Sequence, residues 1–269
     1  MHKQTKIAAL ALAAALLLCA CAQQNVQPEP TAKTLPELNI GTAINAPYFY
    51  VAKDGSYTGL DKDIADEACA RLGVAPVYTV ITWGSQDEYL SAGAVDCFWS
   101  CFSLLGRENQ YQWAGPYMDS PEVVVVAADS DIQTVDDLAG KTVALRIDSN
   151  AQLYFVNRPA ELQPAVISTF SNMEDAFVSF GQGYTDAVAG HKAALLELTA
   201  QQPDLYRYLD TTIITAKPGV AFDPHYDSGF VSALDQTLAD MQADGTIAAL
   251  AANYGLSAAD IGEAGAADE

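Results

Sequence analysis

Basic residues are scarce in this chain: thirteen lysines and arginines stand against thirty-four acidic residues, for a formal net charge of −21. Phosphate backbones and anionic lipid headgroups repel such a surface. Nucleic acid is therefore excluded as a partner, and no basic patch is available for membrane attachment. Histidine is nearly absent, three in all with one at His2, which leaves little for general acid–base chemistry. A glycine-rich phosphate loop, a nucleophile motif and zinc-type cysteine spacing are all missing. No catalytic residue, metal or cofactor is expected. The apolar run over 7–18 is too short to cross a bilayer as a mature helix.

That run follows Lys3 and Lys6 and ends in Leu18, Cys19, Ala20 and Cys21. A basic start and a short apolar stretch make residues 1–20 a secretory signal. The last four residues resemble a bacterial lipobox, which would make Cys21 the lipidated first residue of the mature chain. Ordinary secretion with cleavage after Ala20 is the alternative. Residues 21–37 carry glutamine and proline with little apolar periodicity, and read as a flexible linker. With so acidic a body, membrane attachment has to come from acyl chains.

Three cysteines then remain in the folded body: Cys69, Cys97 and Cys101. Cys97 and Cys101 lie four apart in a strand-like run, about 13 Å at roughly 3.3 Å per residue, too far to bridge unless the chain turns. A Cys69–Cys97 bridge and three buried thiols are the two remaining states, and at most one disulfide is possible.

From residue 38 the pattern alternates. A short strand over 38–42 precedes a helix over 60–72 with Leu60, Ile64, Ala65, Ala68 and Leu72 at helical spacing, stopped by Gly73. A β-branched strand over 77–81, a helix over 86–92 and a strand over 94–99 follow. The same alternation resumes after Pro116 with strands over 123–127 and 142–147, and a strand ending near Ala189. Two amphipathic helices, over 228–241 and 246–254, close the body. The acidic segment from 257 to 269 reads as a disordered tail. This is an α/β pattern long enough for two lobes, with a ligand cleft expected between them.

In their order and spacing several segments resemble the bacterial extracellular solute-binding proteins of family 3, the amino-acid type. They are Ile40-Gly41-Thr42, the Tyr57-to-Ala65 run, Val95-Asp96-Cys97 through Arg107, Ala114-Gly115-Pro116-Tyr117, Asp137-to-Lys141 and Ala243-to-Thr246. The resemblance covers roughly residues 38–256. It implies a two-lobed type II periplasmic-binding-protein-like fold with a hinge. One lobe would comprise 38–118 with a return over 217–256, and the other 119–216.

It also implies site residues. Arg107, one position before the family's usual arginine, would grip a ligand carboxylate with both guanidinium nitrogens, or else be a solvated surface arginine. Ser149 and Asn150 match a binding pair at the start of a helix, whose first amides would meet the same carboxylate from the second lobe. Asp148, Ser149 and Asn150 are each acceptable N-caps. Trp83 falls where the family places a large side chain against the ligand's stem, or it is core. Ser100 and Ser103 fall at hydrogen-bonding positions, with Trp99 assigned to the core. Asn45 and Tyr48 lie in a loop that supplies further contacts. Two amine-binding acids are replaced, one by Ala43 and one by His191, which would accept from an ammonium through a neutral ring nitrogen, meet an anionic group when protonated, or else be a structural or exposed histidine. Asp61 and Asp63 read as charges at a helix N-terminus and not as a metal pair.

The resemblance implies a monomeric, lipid-anchored substrate-binding subunit of an ABC importer. It would sit at the outer face of the cytoplasmic membrane, bind an amino acid or derivative and deliver it to permease subunits. An extracytoplasmic enzyme of the same fold, a dehydratase/lyase or lytic transglycosylase, and the ligand-sensing subunit of a signalling receptor are the alternatives.

Overall fold

A computed structural model of the chain describes residues 35–262. The secretory signal, Cys21, most of the linker and the last seven residues of the tail lie outside the described residues.

Leu38 and Ile40 enter the core from β1 (Glu37–Thr42), which a short hairpin of β2 (Tyr50–Val51) and β3 (Tyr57–Thr58) follows. Helix α1 (Leu60–Leu72) buries Leu60, Ile64, Ala65, Ala68 and Cys69 on one face. Gly73 ends it at φ 69°, a left-handed conformation that a side chain disfavours. Strand β4 (Ala75–Val80), helix α2 (Gln86–Ser91), β5 (Cys97–Ser103) and β6 (Gln112–Ala114) complete the first passage. Strand β5 begins at Cys97, later than the 94–99 reading, because the Asp96 carboxylate turns back to accept from the Asn39 amide and side chain. The strand continues through Ser103, with all seven residues buried.

The second lobe starts with β7 (Ser120–Ala127), whose Val123 to Val126 are buried on both faces of its sheet. It continues through β8 (Thr142–Arg146), α3 (Asn150–Val156), β9 (Val166–Phe170), α4 (Met173–Gly181), β10 (Ala187–His191) and α5 (Lys192–Thr199). Strands β11 (Tyr206–Tyr208) and β12 (Ile214–Ala216) close it along β7. The sheet order is β11-β7-β10-β8-β9. It is mixed: β8 pairs parallel with β9 and β10, while β10 runs antiparallel to β7.

The chain then returns to the first lobe as β13 (Pro218–Phe222), α6 (Ser228–Ala243), α7 (Thr246–Ala252) and α8 (Ala258–Ile261). The first sheet therefore reads β4-β1-β5-β13-β6. The backbone crosses between the two sheets twice, after β6 and after β12. An ion pair between Asp119 and Lys217 (2.7 Å) joins the crossings.

The segment after residue 256 departs from the disordered reading. Ser257 and Asp260 form a capping box, Ile261 is buried, and Asp260 pairs with Lys192 at 2.7 Å. A buried apolar residue and two specific pairings supply what composition alone did not show. Cys69, Cys97 and Cys101 are all free and buried. No helix among the described residues is long and apolar enough to cross a membrane.

Candidate functional site

A small cavity lies between the lobes. Trp83, Cys101, Phe102, Ser103 and Arg107 line it from the first, and Glu122, Arg146, Asp148, Ser149, Asn150 and His191 from the second. Its volume is about 10 Å³, close to the room of one water, so the lobes stand nearly shut.

The first-lobe wall depends on a kink. Strand alternation would place Cys101 and Ser103 on one face and Phe102 on the other. Cys101 instead adopts φ 46°, which brings three consecutive residues to the cavity. Asp61 holds this turn by accepting from the Cys101 amide, and it also accepts from the Tyr117 hydroxyl at 2.8 Å. Its carboxyl is fully buried. Burial raises its pKa to about 7 despite those two bonds. Asp61 lies in the first turn of its helix, as its sequence position suggested, and is in addition an internal brace for β5. Asp63, by contrast, accepts from Tyr254 at 2.7 Å.

Arg107 follows the Gly106 turn and lies over the Phe102 ring, 5.0 Å from its centroid. Its guanidinium donates to the Ser103 carbonyl (3.4 Å) and reaches across the cleft to the Asp148 carbonyl (3.3 Å). The Ser103 hydroxyl accepts from the Leu105 and Lys217 amides at 3.2 and 3.1 Å. Its lone pairs are thus engaged while its O–H can still donate.

On the opposite wall Ser149, not Asp148, is the N-cap of α3, accepting from the Gln152 amide at 3.2 Å. Glu122 takes the Ala151 amide at 2.9 Å. The Ala151 and Gln152 amides are therefore occupied by the protein, and the Ser149 and Asn150 amides are not among those taken. The Ser149 and Asn150 residues themselves remain at the cavity.

Glu122 sits opposite His191 in the β7–β10 register and is 1% exposed. Its second carboxylate oxygen has no hydrogen-bond partner among the described residues and lies 3.8 Å from His191 Nε2. Burial raises the Glu122 pKa to about 7, opposed by Arg146, the Ala151 amide and Asn150. Burial, and then Arg146, push His191 down to about 3, so its ring is neutral. Its Nδ1 pairs with the Ser120 hydroxyl at 2.9 Å, which in turn pairs with the Tyr48 hydroxyl at 2.8 Å. Cys101 Sγ lies 3.9 Å from His191 Nε2, but burial pushes this thiol well up and it is not a thiolate nucleophile.

Of the residues singled out in the sequence, Trp83, Ser103, Arg107, Ser149, Asn150 and His191 meet at the cavity. Three others do not line it. The Ser100 hydroxyl is closed on Ala43, donating to its carbonyl at 3.0 Å and accepting from its amide at 3.2 Å. Tyr48 stands edge-on to His191 at 5.5 Å and supports it from behind. Asn45 bridges Phe49 within the loop. Glu122 and Arg146 were missed. Each carried a signal, since a charged residue set in an apolar strand run, beside Val123 to Val126 or within 142–147, has to be answered by something buried.

A family model described as bacterial extracellular solute-binding proteins, family 3, matches residues 38–257. The chain is 23% identical over 247 residues to a probable histidine-binding protein of Campylobacter jejuni, covering 90% of this chain and 94% of that protein. It is 26% identical over 222 residues to the L-cystine-binding protein TcyA of Bacillus subtilis, covering 81% and 80%. An ancestral arginine-binding protein bound to arginine has the same fold, with a TM-score of 0.74 at 22% identity over 81% of this chain and 97% of that one.

Proposed function

Because the chain belongs to family 3 of the bacterial extracellular solute-binding proteins, we propose that it captures a small amino-acid-like solute between its lobes and passes it to the permease subunits of an ABC importer. The observation that carries this reading is the meeting of Arg107 with the Asp148-to-Asn150 segment of the other lobe across one cavity. A carboxylate entering there would replace the Asp148 carbonyl as acceptor for Arg107, a stronger, charge-assisted and bidentate partner. Ser103 and Ser149 offer hydroxyls, and Asn150 its amide, to the same group. Trp83 packs against the solute's stem.

The amine falls to Glu122, whose unpartnered oxygen is a better acceptor for an ammonium than the neutral His191 ring beside it. On this reading the acid absent at position 191 is supplied from β7, one strand over from His191. Entry requires the lobes to part about the two crossings. The solute then favours the shut form because only that form offers contacts from both sides. Membrane attachment through a lipidated Cys21, a position on the outer face of the cytoplasmic membrane and a monomeric state complete the proposal.

Relatives named for histidine and cystine are described as binding proteins, and the cavity has no activated thiol. The reading is therefore of a receptor and not an enzyme. Titration calorimetry of the chain against the common amino acids tests it. One-to-one saturable binding that Arg107→Ala weakens at least about 30-fold is expected, whereas binding indifferent to Arg107→Ala would remove that residue from the site.

A further inference from the structure

Arg146 ends β8 with its side chain 4% exposed, yet it belongs to none of the ion pairs among the described residues. Its guanidinium carbon instead lies over the Trp83 ring, 4.0 Å from the centroid, in a contact between the two lobes. An aromatic face offsets only part of the cost of removing a guanidinium from water. Arginine cannot shed its charge as a buried lysine does, so an anion has to meet it. Beside it the Trp83 indole N–H is also buried with no hydrogen-bond partner among the described residues. Both residues line the cavity, and neither the guanidinium nor the indole N–H has a protein acceptor among the described residues.

Glu122 and Glu174 act on Arg146 through space, but neither forms an ion pair with it among the described residues. Arg107 adds a second positive charge. His191 is neutral, and the Asp148 residue is exposed, where water screens its charge. Glu122 is the one buried carboxylate on the wall, and its free oxygen is directed at His191 and not at Arg146 within ion-pair distance. A neutral amino acid would bring one carboxylate for two guanidinium groups and one ammonium for Glu122, leaving a buried positive charge. A cationic amino acid would leave more. A solute with two anionic groups and one ammonium balances the set.

From this arrangement we infer that the cleft selects an acidic amino acid. Its α-carboxylate would be on Arg107, its ammonium on Glu122, and its side-chain anion on Arg146 and the Trp83 N–H. This rests on the reading of the cleft as an amino-acid site and makes Arg146 its specificity-determining residue.

Calorimetry of the full chain with L-glutamate and L-aspartate, their amides L-glutamine and L-asparagine, and the cationic L-arginine and L-histidine tests the inference. An acidic amino acid should bind about 100-fold more tightly than its amide, as expected when a buried charge otherwise lacks a partner. Arg146→Gln should weaken the acid about 100-fold while leaving the amide within about tenfold. Trp83→Phe, which keeps the ring and removes the N–H, should weaken the acid several-fold more than the amide. Arg146→Lys keeps the charge and should retain part of the preference. The acid-to-amide ratio of the unaltered chain decides the ligand class even if a variant fails to fold. Amides or cationic amino acids bound as tightly as the acids would overturn the inference and leave the amino-acid receptor in place. An acid preference that survives Arg146→Gln would overturn the role of Arg146. Binding of no amino acid would overturn the inference together with the reading beneath it.

Discussion

At the scale of single residues, the cavity sets buried Glu122, Arg146 and His191 beside a half-buried Arg107, and their consequences are measurable. In the proposed grip Arg107 meets the solute's carboxylate, and Arg107→Ala should cost about 2–5 kcal/mol of binding, read by calorimetry. Glu122 loses its proton near pH 7. Affinity for ammonium-bearing solutes should therefore rise from about pH 6 to 8, and Glu122→Gln should bind more weakly with a flatter profile; an unchanged profile would take Glu122 out of the amine site. Asp61 carries a linked effect on stability. Its pKa is about 7 in the fold against 3.8 for the free side chain, so between those values the folded chain holds a proton that the unfolded chain has released. Stability from this group is full below about pH 4 and is lost as pH rises through 7. Glu122 acts in the same sense. His191, at about 3 against 6.5, acts in the opposite one, gaining stability as pH rises. Asp61→Asn should accordingly lose less melting temperature between pH 4 and 7 than the unaltered chain, and equal slopes would contradict the assignment.

At the scale of elements, periodicity made much of the fold legible. The 60–72 helix with its glycine stop and the apolar run at 123–127 both announce themselves in sequence, because burial on one face or on two leaves different spacing. What was not legible depends on contacts remote in sequence. Cys101 breaks strand alternation because a carboxylate forty residues earlier holds its amide, so Phe102 reaches the cavity and Ser100 does not. Glu122 and Arg146 find their meaning only when β7, β8 and β10 lie side by side. Helix α8 was hidden for the same reason: a four-residue helix has too short a period to detect, and its stability comes from docking. Burial next to Lys192 and Ser257 works against the Asp260 charge, but hydrogen bonds from both hold its carboxyl down at about 2. Ile261→Ala should cost about 2–3 kcal/mol through lost burial, lowering the melting temperature by roughly 5–10 °C. No change would mean that α8 does not dock in solution.

At the scale of the whole molecule, two lobes joined by two crossings meet at one cleft, and each sheet is complete within its own lobe. The apolar clusters lie almost wholly within one lobe or the other, so most of the apolar burial does not depend on the charged groups at the cleft. A solute that contacts both lobes stabilises the folded chain by mass action, by about 2.7 kcal/mol at a hundred times its dissociation constant. The most direct measurement is therefore a thermal-shift screen of the chain against amino acids, N-acylated and methylated amino acids, dipeptides and dicarboxylates, with each solute recovered afterwards. Capture between the lobes predicts that an amino acid raises the melting temperature by several degrees and is recovered unchanged. A screen in which no solute shifts the transition, or in which the stabilising solute is consumed, would contradict it.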